Sequence, residues 1–197
     1  MKRDVALMSN FLTLSRGMSR YNGGEYDGYV IVKLEWQITG NVVDADSKIV
    51  RERSGYCQIK SIGVDNGEET GFLTMTLLGG KMDDNAVVGT SIPTDVSDLA
   101  ELSFAQEEVL VYLDAVQDTN PIHKGAGAIV PGGMVLATLQ DKLSETIPWF
   151  KDANAKFTAQ FLAPIDIGET FTIAQSKNGL CVYTKRLGEC IRISKKC

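Results

Sequence analysis

The sequence predicts an α+β protein in which an antiparallel sheet wraps a buried central helix. Three observations carry this. A helix-period stretch holds Met134, Val135, Leu136, Leu139, Leu143 and Ile147, apolar on almost every early turn. Short alternating runs follow it to the C-terminus, the pattern of an antiparallel meander. Strict alternation at Val30, Val32, Leu34, Trp36 and Ile38 shows that the first half carries strands as well.

From the N-terminus, residues 4–20 read as a helix with Val5, Leu7, Met8, Phe11, Leu12 and Leu14 apolar, stopped at Asn22-Gly23-Gly24. The strand over 30–38 ends at the Gly40-Asn41 turn. Strand-like runs at 49–63 and 70–78 are separated by Asp65-Asn66-Gly67, a hairpin signal. Residues 79–101 are poor in pattern and are expected to connect two halves. Ser103-Phe104-Ala105-Gln106 fits a capping box with serine as N-cap. The helix that follows carries Val109, Leu110, Tyr112, Leu113 and Val116 at helical spacing. Small residues Gly125-Ala126-Gly127-Ala128 lead to Gly132-Gly133, where the central helix starts, and Pro148 ends it. Strands are expected around Phe157–Phe161, at Phe171 and Ile173, over 179–186 and over 189–194, with a turn from Pro164 to Gly168. Each half reads as helix, then strands.

The chain has 197 residues, enough for one large domain or two small ones with a real core. A net charge of -5 and no basic stripe argue against nucleic acid as the main partner. No apolar run approaches the ~20 residues that span a bilayer. The apolar stretch after Met1-Lys2-Arg3-Asp4 is broken by Ser9, Asn10 and Thr13, so no signal peptide is expected and a cytoplasmic location is. The cysteines Cys57, Cys181, Cys190 and Cys197 are scattered, without a Cys-x-x-Cys pair. With a lone histidine elsewhere, no metal site is expected, and free thiols in a reducing compartment are.

That histidine, His123, ends the string Asp118-Thr119-Asn120-Pro121-Ile122-His123. Imidazole titrates near neutral pH and works with carboxylates in proton transfer. Pro121 fixes its own φ and pushes Asn120 toward extended geometry, restricting the aim of Asp118 and His123. The same string is also ordinary turn chemistry, because Asp and Asn side chains cap their own backbone. Gly132-Gly133 opens a helix, where unpaired N–H groups favour negative charge and glycine allows close approach. Paired glycines there also serve simply to pack a helix tightly. Taken together, an acid–base pair and helix-start amides suit a thioester. The amides would hold the carbonyl oxygen as an enolate forms, and the pair would move protons during addition or loss of water.

Tyr112 through His123 resembles the signature of MaoC-like (R)-specific enoyl-CoA hydratases: an apolar helix, then Gly-Asp-x-Asn-Pro-[Ile/Leu]-His. Lys156-Phe157 through Pro164-Ile165 to Gly168-Glu169 resembles their later Arg-Phe…Pro-Val…Gly-Asp stretch. The likeness covers roughly residues 88–197. It implies a hot-dog fold, with Asp118 and His123 activating water, Asn120 shaping the turn, and Gly132, with Gly133, binding the thioester oxygen. Residues 1–87 match no motif. Two-repeat members of the family carry an N-terminal hot dog without the motif, and the first half is read as such a degenerate repeat.

There are departures. Gln117 stands where the family has glycine. The stretch from His123 to Gly132 is short, and His123…Ile129-Val130-Pro131-Gly132 is instead similar to 3-hydroxyacyl-acyl-carrier-protein dehydratases. Those place their acid one turn into the helix, where this chain has Ala137, which leaves the carboxylate role to Asp118. The expected function is reversible hydration of 2-enoyl thioesters or dehydration of 3-hydroxyacyl thioesters. The expected substrate is an acyl-CoA or an acyl-carrier-protein thioester, with no cofactor, no nucleic-acid or membrane partner, and a homodimer, a higher homo-oligomer or an internal pseudo-dimer. Two alternatives stand beside it: a non-catalytic acyl-thioester-binding hot-dog protein, and a hot-dog thioesterase.

Overall fold

The computed structural model describes residues 10–21, 24–79, 91–143, 146–147, 152, 154–177 and 179–196. Residues 10–16 are helical (α1), followed by a 3-10 turn at Ser19–Tyr21. The strands of the first half are Val30–Ile38 (β1), Asp44–Arg53 (β2), Tyr56–Asp65 (β3) and Glu68–Leu78 (β4). The second half adds Val96–Leu102 (β5), helix Gln106–Val116 (α2), a 3-10 turn at Pro121–His123 and helix Gly132–Leu143 (α3). It closes with Lys156–Phe161 (β6), Phe171–Ser176 (β7), Gly179–Thr184 (β8) and Gly188–Lys196 (β9).

All nine strands form one antiparallel sheet in the order β2-β3-β4-β1-β6-β9-β8-β7-β5. Leaving out β5, the two halves wind alike. A helix precedes a strand (β1 or β6) that ends up at the centre, and a three-strand meander returns to pair with it. The halves join where β1 pairs with β6, from Lys33↔Gln160 to Trp36↔Phe157. On the inner face of this seam Trp36 is 1% exposed. It stacks on Phe157 at 5.4 Å and meets Phe11 of α1 edge-on at 6.1 Å.

α3 is buried on most sides, including Gly133, Met134, Val135, Leu136, Ala137, Leu139 and Leu143. It is the central helix that its apolar early turns predicted. α1 is laid close on the sheet by missing side chains: a Cβ at Gly63 would meet Leu14 and Val42, and one at Gly17 would meet Ser61 and Ser47. A bulge between Ile31 and Lys33 breaks the β1–β4 register. Such bulges bend and re-aim a strand. Val30, Ile31, Val32 and Leu34 line a cavity, and Trp36 beyond them is fully buried.

Several expectations are corrected. The α-helical residues end at 16, four residues before the expected stop, where the chain tightens into a 3-10 turn; the predicted residues 4–9 lie outside the described ones. The single run over 49–63 is two strands, β2 and β3, turned at Ser54-Gly55 with Gly55 at φ +70°. The pattern-poor stretch 79–101 contains most of β5, which sits at the sheet edge with no fully buried residue and so carries no clear alternation. The capping box is displaced: the N-cap is Ala105, whose N–H donates to Glu108 Oε2 at 2.8 Å, so only the carboxylate half of the box exists. Leu110 is exposed on α2 rather than packed inward. The Asn66-Gly67 hairpin is as expected, with φ of +50° and +86°. The boundary expected at 87/88 lies outside the described residues.

Trp36→Ala opens the seam at the larger of its two stacked rings. We expect a loss of about 3–5 kcal/mol in unfolding free energy, measured by urea denaturation. A loss below about 1 kcal/mol would mean that the seam does not depend on this packing.

Candidate active site

The Asp118–His123 turn begins at the end of α2. The Gln117 N–H donates to Asp114 O at 3.1 Å and the Asp118 N–H to Leu113 O at 2.9 Å, with Gln117 left-handed at φ +57°. This is a Schellman closure, a geometry that favours glycine but admits other residues at a cost. The departure at Gln117 therefore leaves the turn intact. Asp118 Oδ1 accepts the Asn120 N–H at 2.8 Å, which fixes the carboxylate.

Pro121 starts the 3-10 turn that delivers His123 into the interior, 5% exposed. His123 Nδ1 lies 2.8 Å from the Ile129 carbonyl. A carbonyl accepts only, so Nδ1 carries the proton and Nε2 of the neutral ring is left as an acceptor. Nε2 faces Asp118 Oδ2 at 3.7 Å. Burial lowers the His123 pKa, outweighing the Ile129 carbonyl and the Asp118 charge, which raise it. The ring is thus neutral at pH 7, and the pair is a base beside a carboxylate rather than a salt bridge.

The short loop behind His123 is folded tightly. Gly125 and Gly127 take φ of +83° and +74°, and the Ile129 N–H returns to Ile122 O at 3.1 Å. The Val130 N–H donates to Ile165 O at 2.8 Å, tying the loop to the turn after β6. α3 starts directly after it. The Met134 and Val135 amides share Pro131 O, and the amides of Gly132 and Gly133 have no protein acceptor among the described residues. Both glycines leave room for a neighbour: a Cβ at 132 would displace the Phe161 ring, and one at 133 the Tyr112 hydroxyl.

Asp118, Asn120, His123, Gly132 and Gly133 all line one cavity of about 400 Å³. The sequence thus located residues that the fold brings together. The cavity also draws on the first half, through Leu34, Ile59, Leu73 and Leu77 on its sheet and Tyr26 and Tyr29 beside them. None of these was singled out in the sequence as a site residue, because apolar strand positions read as core. Asn120 caps the turn and also reaches beyond it. Its Oδ1 accepts the N–H of Gly28 at 3.1 Å and of Ile122 at 3.3 Å, and its Nδ2 donates to Tyr29 O at 3.0 Å. It clips the first half to the turn. Among the described residues no group of three His, Cys, Asp or Glu side chains could hold a metal ion, and no helix is long and apolar enough to cross a membrane.

No family model matches the chain, and no curated protein matches it in sequence. Solved structures do match it. HtdX from Mycobacterium tuberculosis superposes with a TM-score of 0.69 at 13% identity, covering 97% of this chain and 87% of that one. A MaoC-like dehydratase from Phytophthora capsici gives 0.62 at 12% identity, over 85% and 71% of the two chains. An acyl-ACP thioesterase from Bacteroides thetaiotaomicron gives 0.51 at 9% identity, over 85% and 76%. The chain has a hot-dog fold. The hot-dog expectation is therefore met, with the nine-stranded sheet of the two halves joined through β1 and β6.

Two outcomes follow from this geometry. Asn120→Ala strands the Gly28 N–H and the Tyr29 carbonyl, and is expected to cost about 1–3 kcal/mol. Amide exchange should show Gly28 losing protection while β7–β9 keep theirs; unchanged exchange at Gly28 would refute the clip. Separately, the folded His123 pKa lies below the unfolded value of 6.5. Between the two values the unfolded chain binds more protons, so this contribution to stability is complete above about pH 6.5 and is lost as pH falls toward the folded pKa. The urea midpoint should drop between about pH 7.5 and 5.5, and less so in His123→Gln. Parallel curves would contradict the buried neutral ring.

Proposed function

We propose that this chain is an enzyme that adds water to 2-enoyl thioesters, or removes it from 3-hydroxyacyl thioesters, as the MaoC-like signature implies. The observation that carries the reading is the neutral His123 Nε2 facing Asp118 Oδ2 in a cavity that Gly132 and Gly133, at the start of α3, also line. A separation of 3.7 Å is too long for a direct hydrogen bond. A water held by both groups would be aimed at substrate bound in the cavity.

In hydration, His123 Nε2 takes a proton from that water while its oxygen bonds to C3. The C2=C3 electron pair moves toward the thioester carbonyl, whose oxygen becomes an enolate held by the helix-start amides. The imidazolium then gives its proton to C2, so that one water has been added and the ring is neutral again. Asp118 orients the water and stabilises the imidazolium. Dehydration is the reverse. Asn120 acts here as a positioning residue. The handle is CoA or an acyl carrier protein, and no cofactor is needed because neither oxidation state nor carbon skeleton changes in sum. The apolar cavity wall from the first half suits the acyl chain.

Hot-dog structures serve more than one chemistry, so the reaction must be decided at the site. Incubating the protein with a short enoyl-CoA, and with the same enoyl group on an acyl carrier protein, should erase the ultraviolet band of the conjugated thioester. His123→Ala and Asp118→Asn should each reduce the rate by about 10²-fold or more, with folding retained. Free thiol release would instead establish a thioesterase. Binding without band loss on either carrier would establish a binding protein.

The acid limb of the hydration profile should have its midpoint below 6.5, because protonated His123 cannot accept a proton from water. A midpoint above that value would remove His123 as the base.

A further inference from the structure

Tyr112 sits midway along α2, and its helical phase turns it inward with Val109, Leu113 and Val116. On sequence pattern alone it is a core aromatic. The structure ends it at a polar place. Its hydroxyl occupies the space that a Cβ on Gly133 would need, at the first turn of α3. It is thus in contact with Gly133, whose amide, like that of Gly132, has no acceptor among the described residues. Tyr112, Gly132, Gly133, Asp118 and His123 line the same cavity.

A buried phenol needs a partner for its hydrogen. Ser15 of α1 is its hydrogen-bonding neighbour: the Ser15 hydroxyl donates to Phe11 O at 2.9 Å, so Ser15 Oγ can accept the phenol hydrogen until a thioester oxygen in the cavity replaces it. Burial and the nearby Asp118 charge both push the Tyr112 pKa upward. The phenol therefore stays protonated through the neutral range, which makes it a fixed hydrogen-bond donor rather than a proton carrier. Glycine at 133 leaves room for that oxygen at the end of the helix where negative charge is favoured.

We propose that the Tyr112 hydroxyl is a second donor to the substrate's thioester oxygen, beside the helix-start amides of α3. This rests on the hydration reading above and extends it. An amide and a phenol converging on one oxygen stabilise the enolate more than the ground-state carbonyl, because charge grows on that oxygen during addition. No bond is made or broken at Tyr112.

Tyr112→Phe removes the hydroxyl and keeps the ring. The expected result is a fall in kcat of about 10²-fold, with KM little changed and an unaltered circular dichroism spectrum. A second readout does not depend on turnover. In His123→Ala, bound enoyl thioester should show its conjugated band shifted to the red, because donors on the carbonyl oxygen polarise the enoyl group. Adding Tyr112→Phe to that variant should remove much of the shift while binding persists. Unchanged kcat and an unmoved shift overturn the proposal. A loss of kcat with the shift unmoved assigns Tyr112 to positioning and also overturns it. If the wild type consumes no enoyl thioester and His123→Ala shows no shifted band, the hydration reading itself fails and takes this one with it.

Discussion

The β1–β6 seam is the constraint on which the rest of the structure depends. Without it there would be two smaller sheets, each with an open edge at the middle of the molecule. Unpaired edges are costly and prone to wrong association. With it, one sheet curls past both α1 and α3, and Trp36, Phe157 and Phe11 close the inner face. The cavity exists because the seam places the end of the second half's turn against the sheet of the first half. The contribution of the first half is then physical rather than chemical. It supplies apolar wall and the backbone groups that Asn120 holds.

The electrostatics of the turn follow from depth. A histidine at the surface would be half charged near pH 6.5 and indifferent to its tautomer. Buried at His123, with Nδ1 committed to Ile129 O, the ring has one tautomer and one free nitrogen. Asp118, more exposed than the histidine, stays close enough to matter and too far to lock the ring. A closer carboxylate would favour the imidazolium form of the ring. The Schellman closure at Gln117, the Asp118–Asn120 bond and Pro121 together set this spacing.

The fold is shared with proteins described as dehydratases and as thioesterases, at identities of 9–13% for the structures compared. At that distance likeness speaks for the chain's path and not for its reaction. What separates the chemistries is which groups reach the cavity and in what protonation state. Here the lining includes His123, Asp118, the two glycines that open α3 and Tyr112.

Much of the architecture was readable from residues alone. Strict alternation placed β1 to the residue, Asn66-Gly67 placed a hairpin, and an apolar-sided stretch placed the central helix. These are local signals, written wherever one face of an element is buried and the other is not. The motif from Asp118 to His123 was also legible, because proline and short polar side chains restrict a turn within six residues. Sequence failed where burial does not alternate or where a contact is long-range. β5 lies at an edge with no buried face, so it left no period. Ser54-Gly55 divided what read as one run. Asn120 looked like a turn residue and is in fact bonded to Gly28 and Tyr29, some ninety residues away. Tyr112 looked like core until Gly133 showed what its hydroxyl touches. The chain's own pattern determined its elements and the turn that carries Asp118 and His123. Only the tertiary structure, by bringing the two halves across one seam, decided the cavity in which they sit and the burial that keeps the His123 ring neutral.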